Sequence, residues 1–182
     1  MRHLKFILPL AFMFIALGAF SQDHNDQDVI ADAEMAKQTL METDGALKTF
    51  MNNASGYVVF PNVGEGGFLI GAASGNGVVY EDGSITGMAN LKKVDVGLQI
   101  GGQSAIEVIF FETEDALNEF KQGEFQLAAE ATAIALEKGV SANANYDDGV
   151  VVFVKPKKGL LADLSVGGQK FGYTPMRNIE SR

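Results

Sequence analysis

Few side chains in this 182-residue sequence have the type and spacing that chemistry needs. There is no cysteine, which removes disulfides, thiolate metal sites and cysteine nucleophiles together. The two histidines are His3, in an apolar leader, and His24, in a polar run just after it. A serine nucleophile needs a base beside it, and no G-x-S-x-G elbow is present. Gly64-Glu-Gly-Gly67 lacks the lysine that a phosphate-binding loop would use. Zinc needs several His, Cys or carboxylate ligands, and the sequence predicts no metal centre and no cofactor. Carboxylates remain. Glu65, Glu81, Asp82, Asp95 and Glu107 could support glycosidase-type acid–base work, but no spacing pairs them. The reading is therefore of a non-enzymatic protein. What stands out instead is charge: Lys92-Lys93 and Lys155 with Lys157-Lys158 are the compact basic clusters.

Asp23-His-Asn-Asp-Gln-Asp28 has a calcium-loop flavour, but Asp28 stands where the loop requires glycine and no closing Glu follows. It is read instead as a solvated helix start, with acidic groups near the N-terminal dipole. The whole chain carries a formal charge of −9. Without Arg2 and Lys5 of the leader, 12 basic residues face 23 acidic ones, a charge of −11. Such a balance argues against nucleic acid as a partner, because phosphates must be met by a basic face.

The elements that would position these residues follow in chain order. Arg2 and Lys5, the apolar run Phe6 to Phe20, and the small residues around Ala19-Phe20-Ser21 have the three parts of a secretory signal. Residues 1–21 are read as that signal, and the mature protein is expected to begin near Gln22 and to be periplasmic or secreted. Residues 22–182 are read as a single domain, helical over 26–53, β-rich over 56–173, with a loose tail over 174–182. Val29, Ala33, Ala36, Leu40, Leu47 and Met51 recur at helical spacing. Asp44-Gly45 breaks that helix in two, with Thr43 or Asp44 capping the second half. The apolar stripe can dock on its own sheet or on a membrane. Asn53-Ala54-Ser55 is an N-glycosylation sequon, relevant only to a eukaryotic secretory route.

From Gly56 to Phe111 the pattern is that of a β-meander. Asn76-Gly77 and Asp82-Gly83 are the dipeptides of type I′ hairpin turns, which predicts positive φ at Gly77 and Gly83. Phe68 to Ala73 should then pair back on Val78 to Tyr80, and that strand on the one beginning at Ser84. Pro61 should end a strand or lie on an edge. Val96 to Gly102 and Ser104 to Phe111 are further strands. The unbroken apolar run Val108 to Phe111 fits burial on both faces. Thr113 should cap a short helix that Gly123 ends. Residues 125–138 are alanine-rich, which favours helix, yet Phe125, Leu127, Ala129 and Ala131 alternate, and strand is the reading taken. Asp148-Gly149 predicts a turn into Val150 to Val154, Lys155 to Gly159 another turn, and Leu160 to Tyr173 the close of the sheet.

Five segments resemble the SYLF domain family: Gly56-Tyr-Val-Val-Phe-Pro61, Gly67-Phe-Leu-Ile-Gly71, Gly75-Asn-Gly77, Val96-Gly-Leu-Gln-Ile-Gly101 and Lys158-Gly-Leu-Leu-Ala-Asp-Leu-Ser-Val-Gly167. Two features of that family are missing. Ser84 to Ala89 replaces its Trp-Ser-x-Pro segment, and Ala133-Ile134-Ala135 lies where a Gly-Pro pair is usual. The resemblance implies an α+β fold: a curved, mainly antiparallel sheet, a meander that could approach a barrel, with N-terminal helices and a short helix after the central strands. It also implies a lipid-binding or membrane-associated module, or, as in the fungal actin-binding members, a protein-interaction domain. Residues expected to make such contacts are Val29, Leu40, Leu47 and Met51 on the helix stripe and Lys92, Lys93, Lys155, Lys157 and Lys158.

Overall fold

The computed structural model describes residues 26–65, 72–94, 104–123, 125–128, 131–158 and 166–176. Residues 1–21 read as a signal, the strand read at Val96 to Gly102, most of Leu160 to Val166 and the end of the tail lie outside them.

Helix α1 (Asp26–Thr43) and helix α2 (Leu47–Asn53) are separated at Asp44-Gly45. Strands β1 (Gly56–Glu65), β2 (Ala72–Glu81), β3 (Ser84–Val94) and β4 (Ser104–Phe111) follow, then helix α3 (Glu114–Gln122). The chain ends with β5 (Ile134–Ala135), β6 (Val150–Lys158) and β7 (Lys170–Pro175). These strands form one open seven-stranded sheet in the order β5-β6-β4-β1-β2-β3-β7, antiparallel except where β5 meets β6. The fold is α+β, as the sequence implies, and the sheet does not close.

Strand alternation sends apolar groups to both faces. On one face Tyr57, Val59, Val78, Tyr80, Ile106, Val108 and Phe110 pack under Val29, Ala33, Ala36, Leu40 and Leu47 of the helices. On the other Val58, Phe60, Val79, Leu91, Ile109 and Phe111 pack under Leu117 and Phe120 of α3 and under Phe171. This double cover is why Val108 to Phe111 reads as a continuous apolar run. Thr113 caps α3 by accepting from the Ala116 N–H, and Gly123 ends it at φ 74°.

Three expectations are corrected. Asn76-Gly77 is no turn: β2 runs straight through it, Asn76 opposite Asn90 and Gly77 opposite Ala89, and Gly77 is not among the positive-φ glycines. Gly77 is required for a different reason, since a Cβ there would lie 2.6 Å from the Phe60 ring. Asp82-Gly83 is the hairpin, with φ 48° and 74°. Lys155 to Lys158 is not a turn either but the end of β6. Among the described residues of 125–138, Ile134–Ala135 is the strand; Gln126 makes an isolated bridge to Lys170, Thr132 is a further bridge residue, Lys138 enters a turn, and the others are irregular.

Pro61 is accommodated inside β1 rather than at its end. Between Phe60 and Val63 the strand has one residue more than β4 opposite. A bulge suits proline because the ladder is already interrupted there. Pro156 borders the corresponding irregularity between β6 and β4, where Lys157 is the extra residue.

Candidate functional site

Two bulges build an exposed basic corner. A bulge adds a residue and re-aims its side chain. In β1 this turns out Asn62, and in β6 it turns out Lys157, although β4 lies between the two strands. The Lys157 Nζ donates to Asn62 Oδ1 at 2.7 Å, and Asn62 Nδ2 donates to Asp32 Oδ2 of α1 at 3.2 Å. Beside them a groove of about 350 Å³ is lined by Asp32, Asn62, Ser74, Asn76, Asn90 and Lys92. Ser74, Asn76, Asn90 and Lys92 are exposed, and they share the helix-side face of the sheet beyond the N-terminal end of the α1 cover. The amides, the hydroxyl and the Lys92 ammonium of the groove, with the Lys157 ammonium beside it, can donate hydrogen bonds to an anionic or hydroxyl-rich group, while the Asp32 carboxylate opposes an anion.

The predicted contact residues separate into sets. Lys92 and Lys157 come to this corner. Lys155, half-buried, faces the helix side from β6 opposite Ile106. Lys93 points to the other face and is buried. Of Lys158 the structure describes the backbone, paired with Ser104. Val29, Leu40 and Leu47 are buried against the sheet and Met51 packs beside them. The stripe therefore docks on its own sheet, one of the two roles its periodicity allows.

Of the carboxylates singled out in the sequence, Glu81, Asp82 and Glu107 are dispersed, and Asp95 and the Glu65 side chain lie outside the described residues. Glu81 accepts from Lys121 Nζ at 2.8 Å and from Thr86 Oγ1 at 2.6 Å. Asp82 forms the exposed hairpin turn. Glu107 is buried on the α3 face, accepting from Gln169 Nε2 at 3.1 Å. Burial pushes its carboxyl up to about 7, against the opposing pull of the Gln169 hydrogen bond and the Lys93 charge. Of the described side chains named from sequence, then, Lys92 lines the groove, Lys157 meets Asn62 beside it, and the Glu107 carboxyl is buried against Gln169.

Sequence reasoning missed Asn62, whose signal was its place beside Pro61 in an otherwise apolar strand. It also missed Tyr57 and Tyr80, stacked with centroids 4.9 Å apart, with Lys37 Nζ 4.2 Å over the Tyr80 ring. The Tyr80 hydroxyl donates to Glu34 Oε1 at 2.9 Å. Burial, reinforced by Glu34, pushes the Tyr57 phenol up to about 12. This cluster ties α1 to the sheet centre and is spent on packing.

Residues 92–178 match the family model of Ysc84, described as a Las17-binding protein actin regulator. No curated protein matches the chain. The matched span runs from Lys92 at the end of β3 through β7, so it takes in Lys92, Lys157 and the buried Glu107, and leaves α1, α2, β1 and β2 outside.

Proposed function

We propose that this SYLF-type protein is an exported, non-enzymatic binding module that meets anionic lipid head groups through the Lys92–Lys157 corner. The observation that carries the reading is the division of labour in the fold. The apolar helix stripe is committed to the sheet, while an exposed, amide-lined groove carries Lys92 and Asp32 and has Lys157 beside it on Asn62. A chain of charge −11 after loss of its leader is repelled by an anionic bilayer at a distance. Screening over roughly 8 Å confines that repulsion, so a local basic corner can still make contact. Each lysine near a charged surface contributes about 1 kcal/mol. Losing both Lys92 and Lys157 to glutamine should weaken binding to anionic vesicles roughly 30-fold. Co-sedimentation with anionic and neutral vesicles, at low and high salt, tests this. Binding lost in salt and in the double variant supports the corner. Binding that survives both would instead require α1 and α2 to leave the sheet.

A second reading is favoured by the family match: relatives described as binding Las17 and regulating actin meet proteins. Absence of binding to either vesicle would put a protein partner first. Export belongs to the same proposal. Intact-mass measurement should find the mature chain starting near Gln22, and a retained apolar leader in a membrane fraction would contradict it.

A further inference from the structure

The buried polar pair on the α3 face has a feature that neither packing nor surface binding uses. Glu107 lies on β4 between Ala105 and Ile109, and it is 2% exposed. Gln169, 3% exposed, sits just before β7, after a turn at Gly167-Gly168. That turn is anchored on the preceding segment: the Val166 and Gly167 amides donate to the Ala131 carbonyl, and the Gly168 amide to that of Leu127. One hydrogen bond joins the pair, from Gln169 Nε2 to Glu107 Oε2. The two atoms left over, Glu107 Oε1 and Gln169 Oε1, are both buried and have no partner.

If Glu107 is ionised, both leftover atoms are acceptors and neither can satisfy the other. A single proton changes that. A carboxylic acid and a carboxamide are planar forks of the same size, one offering O–H and C=O, the other C=O and N–H. Joined on one side, they can join on the other, with the acid O–H donating to the amide oxygen. Buried polar atoms are nearly always paired, so an arrangement that pairs two orphans at once is strongly favoured.

We propose that Glu107 holds a proton on Oε1 at mildly acidic pH and closes a two-bond acid–amide latch with Gln169, which opens when the carboxyl ionises as pH rises through neutrality. On opening, the proton passes to solvent, the Oε1–H donor is lost, and Glu107 Oε1 and Gln169 Oε1 are left as buried acceptors without a donor. The latch ties the central strand β4 to the entry of the edge strand β7, so its opening loosens β7 and the 166–169 turn. The surroundings suit a neutral acid. Phe60 of β1 and Val154 of β6 are its cross-strand neighbours. Lys93 of β3 is the charged group that acts on it among the described residues. Its ammonium favours the ionised form and sets a limit on how long the proton is held as pH rises.

The test uses the full mature chain. Carboxyl ¹³C shifts should show Glu107 titrating near neutral pH and not in the ordinary carboxylate range. Amide exchange in 166–175, corrected for intrinsic rates, should speed up about tenfold or more between about pH 5.5 and about pH 8.5. Glu107→Gln supplies an N–H at every pH, so its exchange in that segment should be flat over the same range. An ordinary carboxylate titration for Glu107 overturns the latch. So does a Glu107→Gln variant with the wild-type pH dependence. If that variant does not fold, the carboxyl titration of the unaltered protein decides alone.

Discussion

Gly77→Val should cost about 3 kcal/mol or more, while Gly83→Val should cost about 1–2 kcal/mol, although both glycines follow a hairpin-type residue. The mechanisms are opposite. At Gly83 the backbone is left-handed, φ 74°, and nothing lies within 4 Å of an added Cβ. The cost there is conformational only. At Gly77 an added Cβ would sit 2.6 Å from Phe60 Cδ1, 2.7 Å from the Val59 carbonyl oxygen and 2.9 Å from Phe60 Cε1. The carbonyl belongs to the β1 ladder and the ring is fully buried, so neither can yield cheaply. Asparagine separates the two cases. It tolerates the left-handed region, so Gly83→Asn should be nearly neutral, whereas Gly77→Asn meets the same ring and carbonyl as valine does. Urea midpoints for the four variants decide it. Rescue by asparagine at 77, or equal losses for the two valine variants, would show that backbone conformation governs Gly77 after all.

That contrast also marks what the sequence can and cannot disclose. Asn76-Gly77 and Asp82-Gly83 are indistinguishable as local turn signals, and only the sheet decides between them. With Gly77 lying over Phe60, β2 must continue straight to keep pairing with both β1 and β3. Signals that are purely local were legible: Thr113 and Gly123 bound α3 because capping involves atoms a few residues apart. The apolar run Val108 to Phe111 disclosed a central strand because alternation alone makes both of its faces buried. Prolines misled in a consistent way. Pro61 predicts a strand end or edge and Pro156 a turn, but each lies at an irregularity within a longer strand, and those irregularities carry the residues that meet, Asn62 and Lys157. Which lysines would share a surface was not legible, because adjacent Lys92 and Lys93 point to opposite faces of one strand. The Glu107–Gln169 contact joins residues 62 apart in sequence, and no periodicity encodes it.

Asp44→Ala should destabilise the protein by about 2–4 kcal/mol at neutral pH, with the deficit shrinking as the solution is acidified. Asp44 looks like a helix cap in the sequence, but its larger role is long-range. Its Oδ2 accepts from the Ser141 amide at 2.8 Å and from the Ser141 hydroxyl at 2.6 Å, across 97 residues. Its Oδ1 accepts from the Ala46 amide at 3.1 Å, which shapes the turn between α1 and α2. Asp44 is 4% exposed and Ser141 is 1% exposed, so alanine would leave buried donors without water to replace the carboxylate. Burial raises the Asp44 carboxyl, and the hydrogen bonds from Ser141, Ala46 and Gly139 outweigh it, so the net shift is downward. A depressed carboxyl contributes stability that is fully present above its unfolded-chain value of 3.8 and is lost as pH falls through the lower folded value. The sign is therefore opposite to that of Glu107, whose raised carboxyl favours the fold at low pH and ceases to do so as pH climbs toward about 7. Asp44→Asn is the sharper variant. It keeps the volume, but its amide group would oppose the Ser141 donors or turn away from Ala46, so part of the loss remains while the acid dependence goes. Urea midpoints of wild type, Asp44→Ala, Asp44→Asn and Ser141→Ala at about pH 7 and about pH 2.5 measure this. A Ser141→Ala loss well below that of Asp44→Ala is expected, since the Ser141 amide survives. A constant gap between wild type and Asp44→Ala at both pH values would mean that the carboxylate charge contributes nothing to the clasp.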